Sequence, residues 1–243
     1  MYILTVAMQK GGVAKTTTAA VLAQAGQYKG KRVLALDLDP QANLSFALGA
    51  DARKPGTFEL IAGTIPAADL IQHCGGVDVI PAGNNLIALT TSKGSALRLR
   101  RNLQSIAGNY DFVFIDTPTR EGEQLYNALC ASNGLLIPSE ADIYNLQSIY
   151  QICDTAKAMQ RANTDLHILG YIVTKAESRS IISRQMQEKL QAVGVPCLGM
   201  IRQGVAIKEA AALQRNLYEY EPKSNPAADY LALFERIEQH AGE

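Results

Sequence analysis

The chain has no net charge, no membrane-length apolar run and no closely spaced cysteines, and each absence removes a class of function. Its 23 Lys and Arg are matched by 23 Asp and Glu, so no global positive field draws it onto nucleic acid, and any DNA contact must come from a local basic patch. No apolar run approaches the roughly eighteen residues that span a bilayer, and the start Met1-Tyr2-Ile3-Leu4 lacks a basic signal segment. The expected location is the cytoplasm, with no membrane partner. Cys74, Cys130, Cys153 and Cys197 show no C-x-x-C spacing, which favours reduced thiols over a metal or iron–sulfur centre. No internal repeat or linker interrupts the 243 residues, and at 47% apolar and 19% charged the chain is expected to form one globular domain over 1–243.

What is present is concentrated first at the amino terminus. Tyr2-Ile3-Leu4-Thr5-Val6-Ala7-Met8 is an apolar, β-branched run, and Gln9-Lys10-Gly11-Gly12-Val13-Ala14-Lys15-Thr16-Thr17-Thr18 follows it into a helical pattern. That order suits a phosphate cradle. Glycines let backbone N–H groups turn onto an anion, the helix start adds its positive dipole end, Lys15 neutralises phosphate charge, and Thr16 can ligate Mg²⁺. Gln9 and Ala14 stand where the strict G-x-x-x-x-G-K-[ST] pattern asks for glycine, and a second lysine, Lys10, precedes Lys15 by five residues.

Further along, Arg32-Val33-Leu34-Ala35-Leu36-Asp37-Leu38-Asp39-Pro40-Gln41 and Phe112-Val113-Phe114-Ile115-Asp116 are unbroken apolar runs that end in carboxylates. Runs without alternation suit strands buried on both faces of a parallel sheet, whose carboxyl ends carry the ligand site. The helical spacing of Leu146, Ile149, Ile152, Ala156 and Met159 predicts a helix over 143–162, and His167 to Thr174 predicts another strand. Thr57 to Ile61 and Ala67 to His73 are expected as short helices, with His73 a surface residue at a helix end. Asn85 to Ala107 is expected as a helix broken near Gly94, on which Arg98, Arg100 and Arg101 form a solvated face.

Taken together, K-G-G-x-x-K-T, D-x-D-P-Q-x-N, the Asp116 strand and Tyr220-Glu221-Pro222-Lys223-Ser224 resemble the ParA/MinD family of deviant Walker A ATPases, in the same order and over nearly the whole chain. The resemblance implies a P-loop NTPase fold, α/β, with a doubly wound, mostly parallel sheet and helices on both faces. It implies that ATP and Mg²⁺ are the cofactors. Lys10, Lys15 and Asp39 would be catalytic, Lys10 reaching the phosphates of a second subunit and Asp39 orienting the attacking water. Gly11, Gly12, Val13, Ala14, Lys15, Thr16 and Thr17 would bind nucleotide, and Thr16, Asp37 and Asp116 would serve the metal. The implied role is DNA partition, with a homodimer in the ATP state and a ParB-like partner.

Several positions depart from the family pattern. Thr174-Lys175 replaces the asparagine often found beside adenine, Thr119 replaces a proline after Asp116, and Asp142 stands where a glutamate is common. Ile201-Arg202-Gln203-Gly204-Val205-Ala206 lacks two arginines expected for non-specific DNA contact, for which Arg179, Arg184, Arg202, Lys208 and Arg215 are the available substitutes. No helix-turn-helix segment precedes the first strand, so specific operator binding is not expected. Positioning of a protein complex and a metabolic ATP-dependent synthetase are alternatives on the same fold, the latter having no need of Lys10. A MinD-like membrane ATPase would need a basic amphipathic carboxyl-terminal helix, whereas 227–243 carries Asp229, Glu235, Glu238 and Glu243 against Arg236. A nitrogenase-type reductase would need cluster cysteines.

Overall fold

The apolar runs become strands because each buries both faces. The structure, a computed structural model, describes residues 1–89, 95–142, 144–176 and 181–242. Among them the strands are β1 (Tyr2–Val6), β2 (Val33–Asp37), β3 (Gln72–Cys74), β4 (Val77–Ile80), β5 (Phe112–Asp116), β6 (Gly134–Ser139), β7 (His167–Ala176) and β8 (Cys197–Arg202). They form one sheet in the order β3-β4-β2-β5-β1-β6-β7-β8. All neighbours are parallel except the edge pair β3–β4.

The helices are α1 (Lys15–Tyr28), α2 (Asn43–Ala47), α3 (Thr57–Ala62), α4 (Arg98–Leu103), α5 (Glu123–Ala131), α6 (Asn145–Met159), α7 (Ile181–Ala192), α8 (Val205–Ala212), α9 (Leu217–Tyr220) and α10 (Asn225–Gly242). Alternate strand residues serve opposite faces. Leu4, Val6, Ala35, Phe112 and Phe114 pack with α1 and α10, while Ile3, Leu34, Leu36, Val113 and Ile115 pack beneath α3, α4 and α5. A third cluster places Leu135, Ile137, Tyr171 and Val173 against α6 and α7. The doubly wound, mostly parallel sheet expected from the sequence is the one observed.

Some local expectations need correction. Ala67 to His73 is not one helix: a 3₁₀ turn covers Ala67–Leu70, and His73 lies in β3, its Nδ1 2.5 Å from Asp78 Oδ1. Gly75 and Gly76, at φ 55° and 86°, form the tight two-residue connection that folds β3 back onto β4. Asn85 to Ala107 contains 3₁₀ turns at Leu86–Ala88, Ser95–Leu97 and Gln104–Ile106, with α4 between the last two. The break expected near Gly94, with Thr91, Ser92 and Lys93, lies outside the described residues, as do Ile143 and Arg179. Arg100 is not simply solvated, since it donates to Asn163 Oδ1 and to Asp165 Oδ2.

Candidate active site

β1 lies at the centre of the sheet between β5 and β6, and the loop after it opens at the carboxyl ends of the strands. Gly12 (φ 78°) and Ala14 (φ 67°) both take the left-handed conformation, so Ala14 adopts the backbone geometry that glycine would take in a stricter motif. α1 starts at Lys15, and its first helical bond runs from Thr18 N–H to Ala14 C=O. Gly11 and Gly12 are exposed, Val13 is buried, and Thr16 and Thr17 are half-buried along the opening. Lys15 is only 7% exposed and its Nζ donates to the Lys10 carbonyl at 3.2 Å. Burial lowers its proton affinity, and the charges of Asp116 and Asp39 oppose that shift.

Two carboxylates meet beside it. β2 and β5 are paired with Asp37 opposite Asp116, which brings both strand-end acids to one point in the interior. Asp116 Oδ2 accepts from Thr16 Oγ1 (2.6 Å) and Oδ1 from Thr117 N–H (3.0 Å). Asp37 Oδ2 accepts from the Ser45 N–H (2.8 Å) and hydroxyl (2.7 Å), and Oδ1 from Asp39 N–H (3.1 Å). Burial pushes Asp37 up to about 6, although these hydrogen bonds favour the charged form. Burial also holds Asp116 well above the usual carboxylate range; the charge of Asp37 adds to this, while Thr16 and Lys15 oppose it. Asp39 is half-buried, and its Oδ1 accepts from Gln41 N–H.

Lys10 stands apart from this group. Its Nζ donates to Asn145 Oδ1 at the start of α6 and lies 3.5 Å from Asp142 Oδ2. Lys15, Thr16, Asp37, Asp39 and Asp116 are thus brought together at one crevice, whereas the Lys10 ammonium is drawn to the β6–α6 connection.

Other contributors escape a reading of motifs. Ser45 and Thr57 fix Asp37, the latter by donating to its carbonyl at 2.7 Å. Thr174 donates to Val13 C=O (3.2 Å), and Lys175 donates to Gly12 C=O (2.8 Å) and to Glu140 (2.6 Å), so the end of β7 grips the loop. Next to the loop a cavity of about 200 Å³ opens between Ala14, Thr17, Lys175 and Gln203, with Tyr230 in its wall. The sequence signal for these was the departure at Thr174-Lys175, which marked the position without revealing its contacts. Arg202 is bound in a fork to Asp229 and is not a free cation.

This donor set suits a hard divalent cation that takes one or two protein oxygens and completes its shell with phosphate and water. Two buried carboxylates with raised proton affinity beside a threonine hydroxyl would be relieved by such a charge.

Comparison with known proteins agrees with this geometry. Residues 1–168 match the protein family described as an AAA domain. The sporulation initiation inhibitor protein Soj of Bacillus subtilis (strain 168) is 32% identical over 246 aligned positions that cover 97% of each chain. Among solved structures, the septum site-determining protein MinD of Pyrococcus horikoshii OT3, complexed with Mg-ADP, superposes with a TM-score of 0.83 at 26% identity, covering 99% of this chain and 97% of that one. Cobyrinic acid a,c-diamide synthase of Mycobacterium smegmatis, with a bound ATP analogue and magnesium, gives a TM-score of 0.83 at 28% identity over 100% of this chain and 96% of that one. With the two-lysine loop, the paired strand-end aspartates and a full-length likeness to Soj all in place, the chain belongs to the ParA/MinD family of deviant Walker A P-loop ATPases.

Proposed function

We propose that the chain, acting as a single domain over 1–243, is an ATP-dependent dimerising ATPase that works in DNA partition with a ParB-like partner in the cytoplasm. The observation that carries this reading is the meeting of Lys15, Thr16, Asp37, Asp39 and Asp116 at the mouth of the phosphate loop. Backbone N–H groups from Gly11 to Thr17 and the Lys15 ammonium take the triphosphate of ATP. Thr16 and Asp116, with Asp37 behind them, would hold Mg²⁺, which would supply positive charge against the negative charge that builds on the phosphates. Asp39 orients a water in line with the γ-phosphorus. The water oxygen bonds to phosphorus as the β–γ bridging bond breaks, leaving ADP and phosphate. The cavity beside Lys175 takes the base.

In this reading the ATP state is a homodimer in which Lys10 of each subunit neutralises charge in the other's site, and hydrolysis releases the pair. Contact with DNA is non-specific and falls to exposed cations such as Lys208 and Arg215, because Arg202 is occupied by Asp229. Among the described residues no helix is long and apolar enough to cross a membrane, and α10 carries no basic face to lie on one. The likeness to the cobyrinic acid synthase supports a second reading, a metabolic ATP-dependent synthetase, which would keep full turnover in Lys10→Ala.

The test is Asp39→Ala with ATP and Mg²⁺. Hydrolysis should fall by at least about 10²-fold while sedimentation shows a persistent ATP-bound dimer. A monomer that gives no heat on ATP titration would contradict the proposal.

A further inference from the structure

In the free subunit the Lys10 side chain is already occupied. Its acceptor, Asn145, is 1% exposed and held from behind: Asn145 Nδ2 donates to Glu140 C=O at 2.9 Å, and its backbone N–H donates to Asp142 C=O at 3.0 Å. Asp142 N–H in turn donates to Glu140 C=O at 2.8 Å, and Asp142 Oδ1 accepts from Tyr144 N–H at 3.0 Å. Glu140 is tied to the phosphate loop through Lys175, which bridges it to Gly12. The turn between β6 and α6 is therefore a receptor whose polar groups are committed, with the Asn145 carbonyl oxygen and one Asp142 oxygen left to meet an ammonium. Beside it Tyr144 is 81% exposed, a ring that a second subunit could cover.

We propose that Asn145 is a positioning residue that retains the Lys10 ammonium within its own subunit, so that pairing requires Lys10 to exchange Asn145 and Asp142 for the neighbour's triphosphate. This rests on the reading of Lys10 as the lysine that acts across the dimer. The contact is charge-assisted, so only the fraction of subunits with Lys10 released is competent to pair, and the apparent affinity for the partner is reduced by that fraction. The latch keeps subunits apart at low ATP. It yields when a bound triphosphate in the second subunit offers several phosphate oxygens in place of one amide oxygen and one partly solvated carboxylate.

The experiment follows dimer formation by sedimentation across an ATP series with Mg²⁺. Asn145→Ala should move the ATP midpoint down by roughly three- to tenfold, and Asn145→Asp, which adds a charge to the grip, should move it up. A purely structural role would not shift the two variants in opposite directions. In a Lys10→Ala background both should lose their effect, because nothing is left to retain. Should Asn145→Ala fail to fold, Asp142→Asn on the surface should also lower the midpoint, by less. Unchanged midpoints in a protein that does pair would overturn the latch and leave the dimer intact, whereas a wild-type chain that stays monomeric at saturating ATP would overturn the dimer reading itself.

Discussion

Two carboxylic acids, Asp37 and Asp116, lie fully buried at the ends of adjacent strands, and a folded protein has to be built to tolerate them. The protein spends three N–H or hydroxyl donors on Asp37 and two, from Thr16 and Thr117, on Asp116, yet both keep a raised proton affinity. For Asp37, a folded value of about 6 against roughly 3.9 in the unfolded chain means that the folded state binds the proton more tightly. Its stabilising effect is complete below pH 4 and is lost as pH rises through about 6. Without nucleotide or Mg²⁺, the stability of Asp37→Asn relative to wild type should therefore rise between pH 4 and pH 7, by about 2 kcal/mol, as urea titrations at the two pH values would measure. These acids were legible in the sequence because each closes an unbroken apolar run. Ser45, Thr57, Asn145 and Lys175 were not, since their roles come from contacts with distant parts of the chain that no local pattern records. The left-handed Ala14 was also hidden, because its side chain gives no hint of the backbone angle that the loop imposes.

At the scale of elements, α1 carries the loop and is buried almost all round, between the sheet and α10. Its run of Ala19, Ala20, Ala23, Ala25 and Gly26 permits close approach: a Cβ on Gly26 would lie 2.8 Å from Val33 Cγ2 and 3.0 Å from Phe234 Cε2. From α10, Phe234 packs edge-on against Phe112 at 5.2 Å between ring centroids, and Tyr230 shares a 2.9 Å hydrogen bond with Thr18. Phe234→Ala should cost about 3–5 kcal/mol of unfolding free energy, visible as a lower urea midpoint. Nucleotide affinity of the folded fraction should be little changed, because the ring lies beneath the crevice and not in it. Long elements were readable from their periodicity, and short ones less so. The β3–β4 hairpin rests on the Gly75-Gly76 turn, and the residues before it, Ala67 to His73, fit a helical spacing as well as a strand. The segment before β5 is divided into 3₁₀ turns on either side of the short α4, whose combined spacing resembles that of one longer helix.

On the scale of the whole molecule, the order β3-β4-β2-β5-β1-β6-β7-β8 puts the loop-bearing strand at the middle of the sheet, where ligand crevices of open α/β sheets form. The fold and the position of the crevice followed from four motifs in register. The resting place of Lys10 did not, because a lysine side chain can reach several acceptors and only the packed β6–α6 turn selects one. The central claim is that Lys10 acts in the neighbouring subunit's site, and mixing two inactive variants tests it most directly. In the proposed mechanism Lys10→Ala keeps Asp39 to orient the water but has no lysine to lend, and Asp39→Ala has the lysine but lacks the carboxylate that would orient the water. Each alone should hydrolyse ATP at least about 10²-fold more slowly than wild type. Combined, with Asp39→Ala in excess, they should regain turnover in proportion to the Lys10→Ala subunits present. A mixture no more active than the sum of its parts, although sedimentation shows the two variants paired, would contradict the account.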